Sequence, residues 1–164
     1  MTIMNNQGNI NNQDNSGEGL NKSPLQLYIE SRESDWLKII TDLNTRMKKI
    51  ENLPDIQGEL FVQRQICVDY YYKVLRMISE QQKQYRPKYA AKYNDYKMRS
   101  QIRYNSDAAI NAQIQSDLSG LLCDIELMNN HGKYMQETLR TLDDMIYSIN
   151  NRIQLEKLIK NYDF

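Results

Sequence analysis

Large apolar residues recur every three or four positions through most of the chain, which is the spacing that one face of an α-helix requires. The first run follows a Ser-Pro-Leu-Gln motif at residues 23–26, in which Ser23 can cap the free N–H groups, Pro24 fits the first helical position and Gln26 completes a capping box. Pro54 stops this run. Its spacing of 4, 3, 4 and 3 predicts a helix with a heptad seam, made of Trp36, Ile40, Leu43, Met47 and Ile50.

A second helix is predicted from about Ile56, with Asp55 as its candidate cap. Its apolar positions continue the seven-residue period through Leu60, Cys67, Tyr71, Val74 and Ile78. Because only a short turn separates the two runs, we expect residues 23–82 to form an antiparallel helical hairpin. The polar run at 81–84 and Pro87 predict a break after it, since a proline disfavours helix at the residue before it.

The longest periodic run lies near the C-terminus and predicts a long helix over residues 106–164. Gly132 occupies one of its seam positions, where it permits a close helix approach or marks a kink, and we expect one long bent helix. The fold class is therefore all-α, with coiled-coil-like packing. The run is longer than the first hairpin needs, which predicts a homo-oligomer held by Leu121, Ile125, Met128, Met135, Leu139, Leu142, Ile146, Ile149 and Ile153.

The remaining composition bounds the class of protein. Residues 1–22 are rich in Asn, Gln and Gly and predict a disordered tail, because they offer little apolar surface to bury. The sequence has no long apolar run and no signal-peptide core, so we expect a soluble cytoplasmic protein without membrane association. Cys67 and Cys123 lie in apolar helical patterns without a CxxC partner, so we expect two buried, reduced thiols.

Positive charge is concentrated in one stretch, residues 73–103, which hold nine basic and two acidic residues in a chain of net charge zero. Tyrosines are interleaved with these cations. Cations neutralise phosphates and aromatic rings stack on bases, so this composition predicts a site for single-stranded nucleic acid. The candidate residues within the basic segment, residues 83–105, are Lys83, Arg86, Lys88, Lys92, Lys97, Arg99, Arg103, Tyr85, Tyr89, Tyr93 and Tyr96.

Helical geometry leaves two interpretations of the tyrosines open. Drawn on a helix, the four rings share one face, and Lys88, Lys92, Arg99 and Arg103 lie beside them. In the first interpretation the rings form an open platform, and the helix packs on the body through Ala91, Met98 and Ile102. In the second, the rings are themselves the packing face and the cations are a solvated rim.

Catalytic chemistry is not indicated by the sequence. His131 is the only histidine, has no partners at metal-ligand spacing, and is expected to be a polar surface residue. No phosphate-binding glycine loop, nucleophile elbow or HExxH motif occurs. We therefore expect neither an enzyme nor a metal or other cofactor.

Two segments carry a resemblance to a known family. The first is the Lys/Arg/Tyr-rich connection YYYKVLRMISEQQKQYRPKYAAKYNDYKMRS at residues 70–100, and the second is the closing run SINNRIQLEKLIKNYDF at residues 148–164. Their order and composition resemble the UvsY-like recombination mediators of large tailed phages, over roughly residues 60–164. The family's C-terminal pattern of an Arg, an Ile-rich amphipathic stretch and a final Phe is matched by Asn151, Arg152, Ile153, Ile159 and Phe164.

The resemblance implies a homo-oligomer that binds single-stranded DNA in an infected host cell. It also implies a RecA-like recombinase as partner, loaded onto strands covered by single-strand-binding protein. A second function class stays open, a coiled-coil structural or adaptor protein of a phage particle. Docking of the basic segment on an anionic membrane is disfavoured, because bulky apolar residues are scarce in residues 83–103.

Overall fold

The computed structural model describes residues 22–99 and 106–162, and these residues fold into helices without a strand. The predicted all-α fold class is confirmed. The α-helices are α1 (Pro24–Arg46), α2 (Leu53–Asn94), α3 (Asp107–Asp117) and α4 (Ser119–Tyr162). A 3₁₀ turn (Ile50–Asn52) joins α1 to α2, and a π-helical turn (Asp95–Arg99) extends α2. Except for Lys22, the predicted tail lies outside the described residues.

The start of α1 follows the local sequence signals. The Ser23 side chain accepts a hydrogen bond of 3.1 Å from the backbone N–H of Gln26, and Pro24 opens the first turn. The second helix begins earlier than predicted, at Leu53, with Pro54 in its first turn, where a missing N–H costs nothing.

The predicted break near Pro87 is wrong, since α2 runs without interruption from Leu53 to Asn94. A proline inside a helix removes one backbone hydrogen bond, here to the carbonyl of Lys83, and costs about 3 kcal/mol. Both residues lie on the exposed side of α2, so water can hydrate the released carbonyl. Packing of the tyrosines on either side of Pro87 then favours helix over break, as described below.

The predicted single helix over residues 106–164 is divided in two at Leu118, whose φ of −103° and ψ of 13° end α3. The division lies elsewhere than at Gly132, through which α4 is continuous. Gly132 is buried, but a Cβ built there would lie 3.6 Å from Ile78 Cδ1 and 3.8 Å from Val74 Cγ1, which is ordinary van der Waals contact. The structure therefore shows neither a helix break at Gly132 nor an approach that only glycine permits.

The three long helices form a bundle in which α2 packs mainly on α4 rather than on α1, its expected hairpin partner. The pair is antiparallel, because contacts early in α2 meet late positions of α4: Arg64 Nε donates to Asp143 Oδ1 at 2.5 Å, while Tyr70 reaches back to His131. Helix α1 runs parallel to α4. The order of contacts is the same along both helices: the Tyr134 hydroxyl donates to the carbonyl of Glu33, and further along Arg152 donates to the carbonyl of Met47, just after α1 ends.

Two apolar clusters make the bundle core. The larger one joins all three helices and contains Trp36, Leu43, Met47, Leu53, Ile56, Leu60, Cys67, Met135, Leu142, Met145 and Ile149. The smaller one lies at the start of α1 and contains Ile29, Val74, Ile78 and Met128. Beyond this level, among the described residues, α2 continues with α3 and the first turns of α4 beside it. We call this extension, residues 79–99 and 106–127, the arm.

Candidate nucleic-acid interface

The four tyrosines of the basic segment form the inner face of the arm. Tyr85, Tyr89, Tyr93 and Tyr96 are partly buried against three side chains, Ile110, Ile114 and Leu118, that cap them from α3 and its C-terminal end. Of the two interpretations drawn from the sequence, the structure therefore fits the one in which the rings pack. The nucleic-acid role that was predicted for them requires a platform open to bases, and this arrangement is not one.

The packing of the rings is specific. Tyr89 donates a hydrogen bond of 2.6 Å to Asn111 Oδ1 of α3. Its ring is nearly parallel to that of Tyr93, with centroids 6.4 Å apart and 17° between the planes. The face expected to pack is instead open to water, since Ala91 is exposed and Met98 is 80% exposed. Ile102 lies outside the described residues.

Two of the candidate cations are engaged by carboxylates of α3. Lys92 Nζ lies 2.7 Å from Asp117 Oδ2, which also accepts from the Tyr96 hydroxyl. Hydrogen bonds from Lys92 and then Tyr96 hold the pKa of Asp117 at about 2, well below its usual range. On the other side of the rings, Lys97 Nζ lies 3.5 Å from Asp107 Oδ1 and donates to the Tyr93 hydroxyl at 3.1 Å.

Three other candidate cations are exposed. Lys83, Arg86 and Lys88 form no ion pair or hydrogen bond with a side chain in residues 22–99 or 106–162. They lie within about 8 Å along the axis of α2, at 1.5 Å per residue. Arg103 lies outside the described residues, as does the side chain of Arg99. These three cations are therefore the part of the predicted site that the structure leaves accessible.

The sequence reasoning missed the acidic partner of the basic segment. Residues 106–127 contain four acidic and no basic residues, whereas residues 79–99 contain six basic and two acidic ones. The two segments lie side by side in the arm, so its charges are balanced across the helix pair. The acidic run was visible in the sequence, but the contacts that bring it against the basic segment, such as Lys92 with Asp117 and Lys97 with Asp107, were not.

The nine predicted oligomerisation residues face largely into the protein. Four of them, Met128, Met135, Leu142 and Ile149, are buried in the bundle core. Leu139, Ile146 and Ile153 are partly buried against the same core, and Leu121 and Ile125 are also half-buried. Much of the seam is thus covered by α1 and α2 of the same chain, and its predicted role in subunit association stays a prediction.

A different apolar surface is accessible at the end of α4. Leu155, Leu158 and Ile159 are all more than half exposed. They lie at spacings of three and four, on one face of the last described turns. A shallow depression of about 130 Å³ lies between this face, Leu53 and Arg152.

The structure corrects the prediction for His131, which is 1% exposed and lies between the three bundle helices. Its Nδ1 is 3.0 Å from Glu33 Oε1, and because a carboxylate only accepts, Nδ1 carries the proton. Its Nε2 is 3.1 Å from the Tyr70 hydroxyl, and the Tyr134 ring stacks on its other side. His131 is thus a buried cross-link that holds α1 on α2 and α4.

Of the two thiols that were expected to be buried, Cys67 is buried and Cys123 is exposed, so the prediction holds for Cys67 and is wrong for Cys123. Among the described residues, no group of His, Cys, Asp and Glu is placed to hold a metal ion. No helix in the described ranges is both long and apolar enough to cross a membrane.

Comparisons with protein-family models, curated proteins and solved structures gave no match.

Proposed function

We propose that this chain is an oligomeric, single-stranded-DNA-binding recombination mediator that helps to load a RecA-like recombinase. The observation that carries the proposal is the group of exposed cations Lys83, Arg86 and Lys88 on the arm, which form no ion pair with the residues that the structure describes. Cations already paired with carboxylates must first break those pairs to bind phosphate, whereas these three need only shed water. Arg76, also exposed, extends the group along α2 toward the bundle.

The proposed contacts are electrostatic and independent of sequence. Each phosphate neutralised on a single strand lowers the logarithm of the affinity by about 0.7 per tenfold increase in salt. Three such contacts therefore contribute about −2 to the slope of log affinity against log salt. The proposal assigns phosphate binding to Lys83, Arg86 and Lys88, and it places Lys92 and Lys97 within the structure of the arm.

Association of subunits is proposed through the exposed end of α4 rather than through its buried seam. Leu155, Leu158 and Ile159 form a compact apolar face, and such a face is stabilised when a second surface removes it from water. The recombinase, the single-strand-binding protein and the infected-cell cytoplasm enter the proposal from the resemblance to UvsY-like mediators.

A second candidate function, a helical structural or adaptor protein, is favoured by a specific observation. The arm is a charge-matched helix pair whose rings pack and whose cations Lys92 and Lys97 are engaged by Asp117 and Asp107. Such an arm can serve as a rigid spacer without binding DNA. The two functions differ in what the three exposed cations do.

A titration of labelled single-stranded and double-stranded oligonucleotides, followed by fluorescence anisotropy, separates the two functions. The mediator proposal expects the single strand to bind, more weakly as salt increases. It also expects the protein to accelerate assembly of a RecA-like recombinase on strands covered by single-strand-binding protein. Absence of single-strand binding at low salt would contradict the mediator proposal and leave the adaptor.

A further inference from the structure

The tyrosine stripe (Tyr85, Tyr89, Tyr93 and Tyr96) is covered by one short helix. Its apolar contacts come from Ile110, Ile114 and Leu118, at α3 and its C-terminal end, without a contribution from α1 to this cluster. The cover is 11 residues long, and an isolated helix of that length is marginal in water. The stability of α3 therefore depends on its contact with the rings.

The cover places a carboxylate on each of two lysines that lie beside tyrosine rings. Lys92 lies 5.8 Å from the centroid of the Tyr96 ring and is bonded to Asp117, while Lys97 lies 5.2 Å from the centroid of the Tyr93 ring and near Asp107. In both places a lysine ammonium group lies beside a tyrosine ring and is paired with a carboxylate of α3. Single-strand-binding surfaces use the same combination, with bases on the rings and phosphates on the cations.

The backbone permits the cover to move as a unit. At Leu118 the chain leaves helical geometry, with φ −103° and ψ 13°, before α4 begins at Ser119. Leu118 still donates to the carbonyl of Ile114 at 2.9 Å and accepts from Leu122 at 3.0 Å, so a rotation at Leu118 would move α3 while the backbone hydrogen bonds within α4 remain. The ion pairs of Asp107 and Asp117 with Lys97 and Lys92 are near the surface, where salt and competing anions weaken them.

We propose that the tyrosine stripe is a cryptic stacking site for the bases of single-stranded DNA, and that α3 is its removable acidic cover. On binding, phosphates replace Asp107 and Asp117 beside Lys97 and Lys92, and bases replace the aliphatic side chains on the rings. This inference rests on the proposed function and adds a second, initially closed contact surface to the exposed cations. The cover lowers the apparent affinity by the fraction of molecules in which it is open.

The test combines one variant with a measurement on the wild type. Asp107→Asn with Asp117→Asn removes the two anions but keeps the side-chain shape. Glu137→Gln with Asp144→Asn makes the same charge change at exposed positions of α4, outside the arm. We expect the first variant to bind an oligothymidylate about tenfold more tightly than wild type, and the control to change affinity by less than about twofold, since only the former shifts the closed state.

Hydrogen–deuterium exchange of the full-length protein reports on the cover directly. Addition of the oligothymidylate should accelerate exchange in residues 106–118 and leave residues 132–150 of α4 unchanged. If the oligonucleotide binds while hydrogen exchange in residues 106–118 stays as slow as in the free protein, α3 is not a removable cover, whatever affinity the variants show. The proposed function would still stand. If wild type and both variants fail to bind, both proposals fall. Binding by the Asp107→Asn/Asp117→Asn variant alone would contradict the proposed function, because the exposed cations of the wild type would then not bind the strand.

Discussion

The buried contact between His131 and Tyr70 gives a prediction whose size follows from the structure. Tyr70→Phe removes one hydroxyl oxygen and leaves Nε2 of His131 without a partner, in a side chain that is fully buried. Leaving a buried polar atom unsatisfied costs about 1–3 kcal/mol. Tyr147→Phe removes the same atom from a ring that is 69% exposed, and it should change the free energy of unfolding by less than about 0.5 kcal/mol.

A double-mutant cycle isolates this contact. In a His131→Leu background no imidazole nitrogen is left to satisfy, so Tyr70→Phe should cost much less there than in the wild type. We expect a coupling energy of about 1–2 kcal/mol, within the range for residues in one hydrogen-bonded network. Urea unfolding followed by circular dichroism measures all four proteins, with the slope m unchanged if the native and unfolded states keep their exposed areas.

Two outcomes would refute this reasoning. If the Tyr70→Phe and Tyr147→Phe variants have the same free energy of unfolding, Nε2 of His131 does not accept a stabilising hydrogen bond from Tyr70. If the costs of Tyr70→Phe and His131→Leu add within about 0.3 kcal/mol, the two side chains do not interact.

Other predictions concern packing and the thiols. Leu142→Ala should lower the free energy of unfolding by about 2–5 kcal/mol, because Leu142 is fully buried, whereas Leu158→Ala should leave it within about 0.5 kcal/mol at concentrations where the protein is monomeric; equal effects in urea unfolding would contradict the core assignment. Gly132→Ala should raise the free energy of unfolding by about 1 kcal/mol, since the added Cβ makes ordinary contacts and alanine has a higher helix propensity than glycine. A lower thermal midpoint of the variant would show that α2 and α4 lie closer than described. A thiol reagent should modify Cys123 alone in the native protein, and rapid modification of Cys67 would contradict its burial. Burial raises the pKa of Cys67 from 9.0 to about 12, so its contribution to stability is complete below pH 9.0 and is lost toward pH 12; Cys67→Ala should flatten the alkaline fall of the unfolding midpoint.

Local signals predicted the helices well, because caps and apolar spacing act within a few residues. Ser23 and Ser106 both cap the helices that follow them, and the apolar positions of α1, α2 and α4 supply the core. The break at Pro87 was predicted wrongly because the free-energy cost of a proline in a helix can be read from the neighbouring sequence alone. The packing that offsets this cost comes from α3, more than twenty residues further along the chain.

The site could be predicted only in part, since its properties depend on which segments meet. Charge and tyrosine spacing singled out residues 83–105, whose described part belongs to the arm, but they did not reveal that Asp107 and Asp117 lie against Lys97 and Lys92. The isolation of His131 in the sequence suggested a surface residue, because its partners Glu33 and Tyr70 are 98 and 61 positions away. Pairings over such separations are fixed by the register of the bundle, which a single sequence does not contain.

The salt dependence of single-strand binding tests the central claim most directly. Wild type is compared with a triple variant, Lys83→Ala, Arg86→Ala and Lys88→Ala, and with a control of equal charge change, Lys48→Ala, Lys49→Ala and Lys133→Ala, which alters exposed residues outside the arm. A plot of log affinity against log salt should lose about 2 units of slope in the triple variant, at about 0.7 per lost contact, and little in the control. Equal slopes for the triple variant and wild type would contradict the claim that these cations bind phosphate.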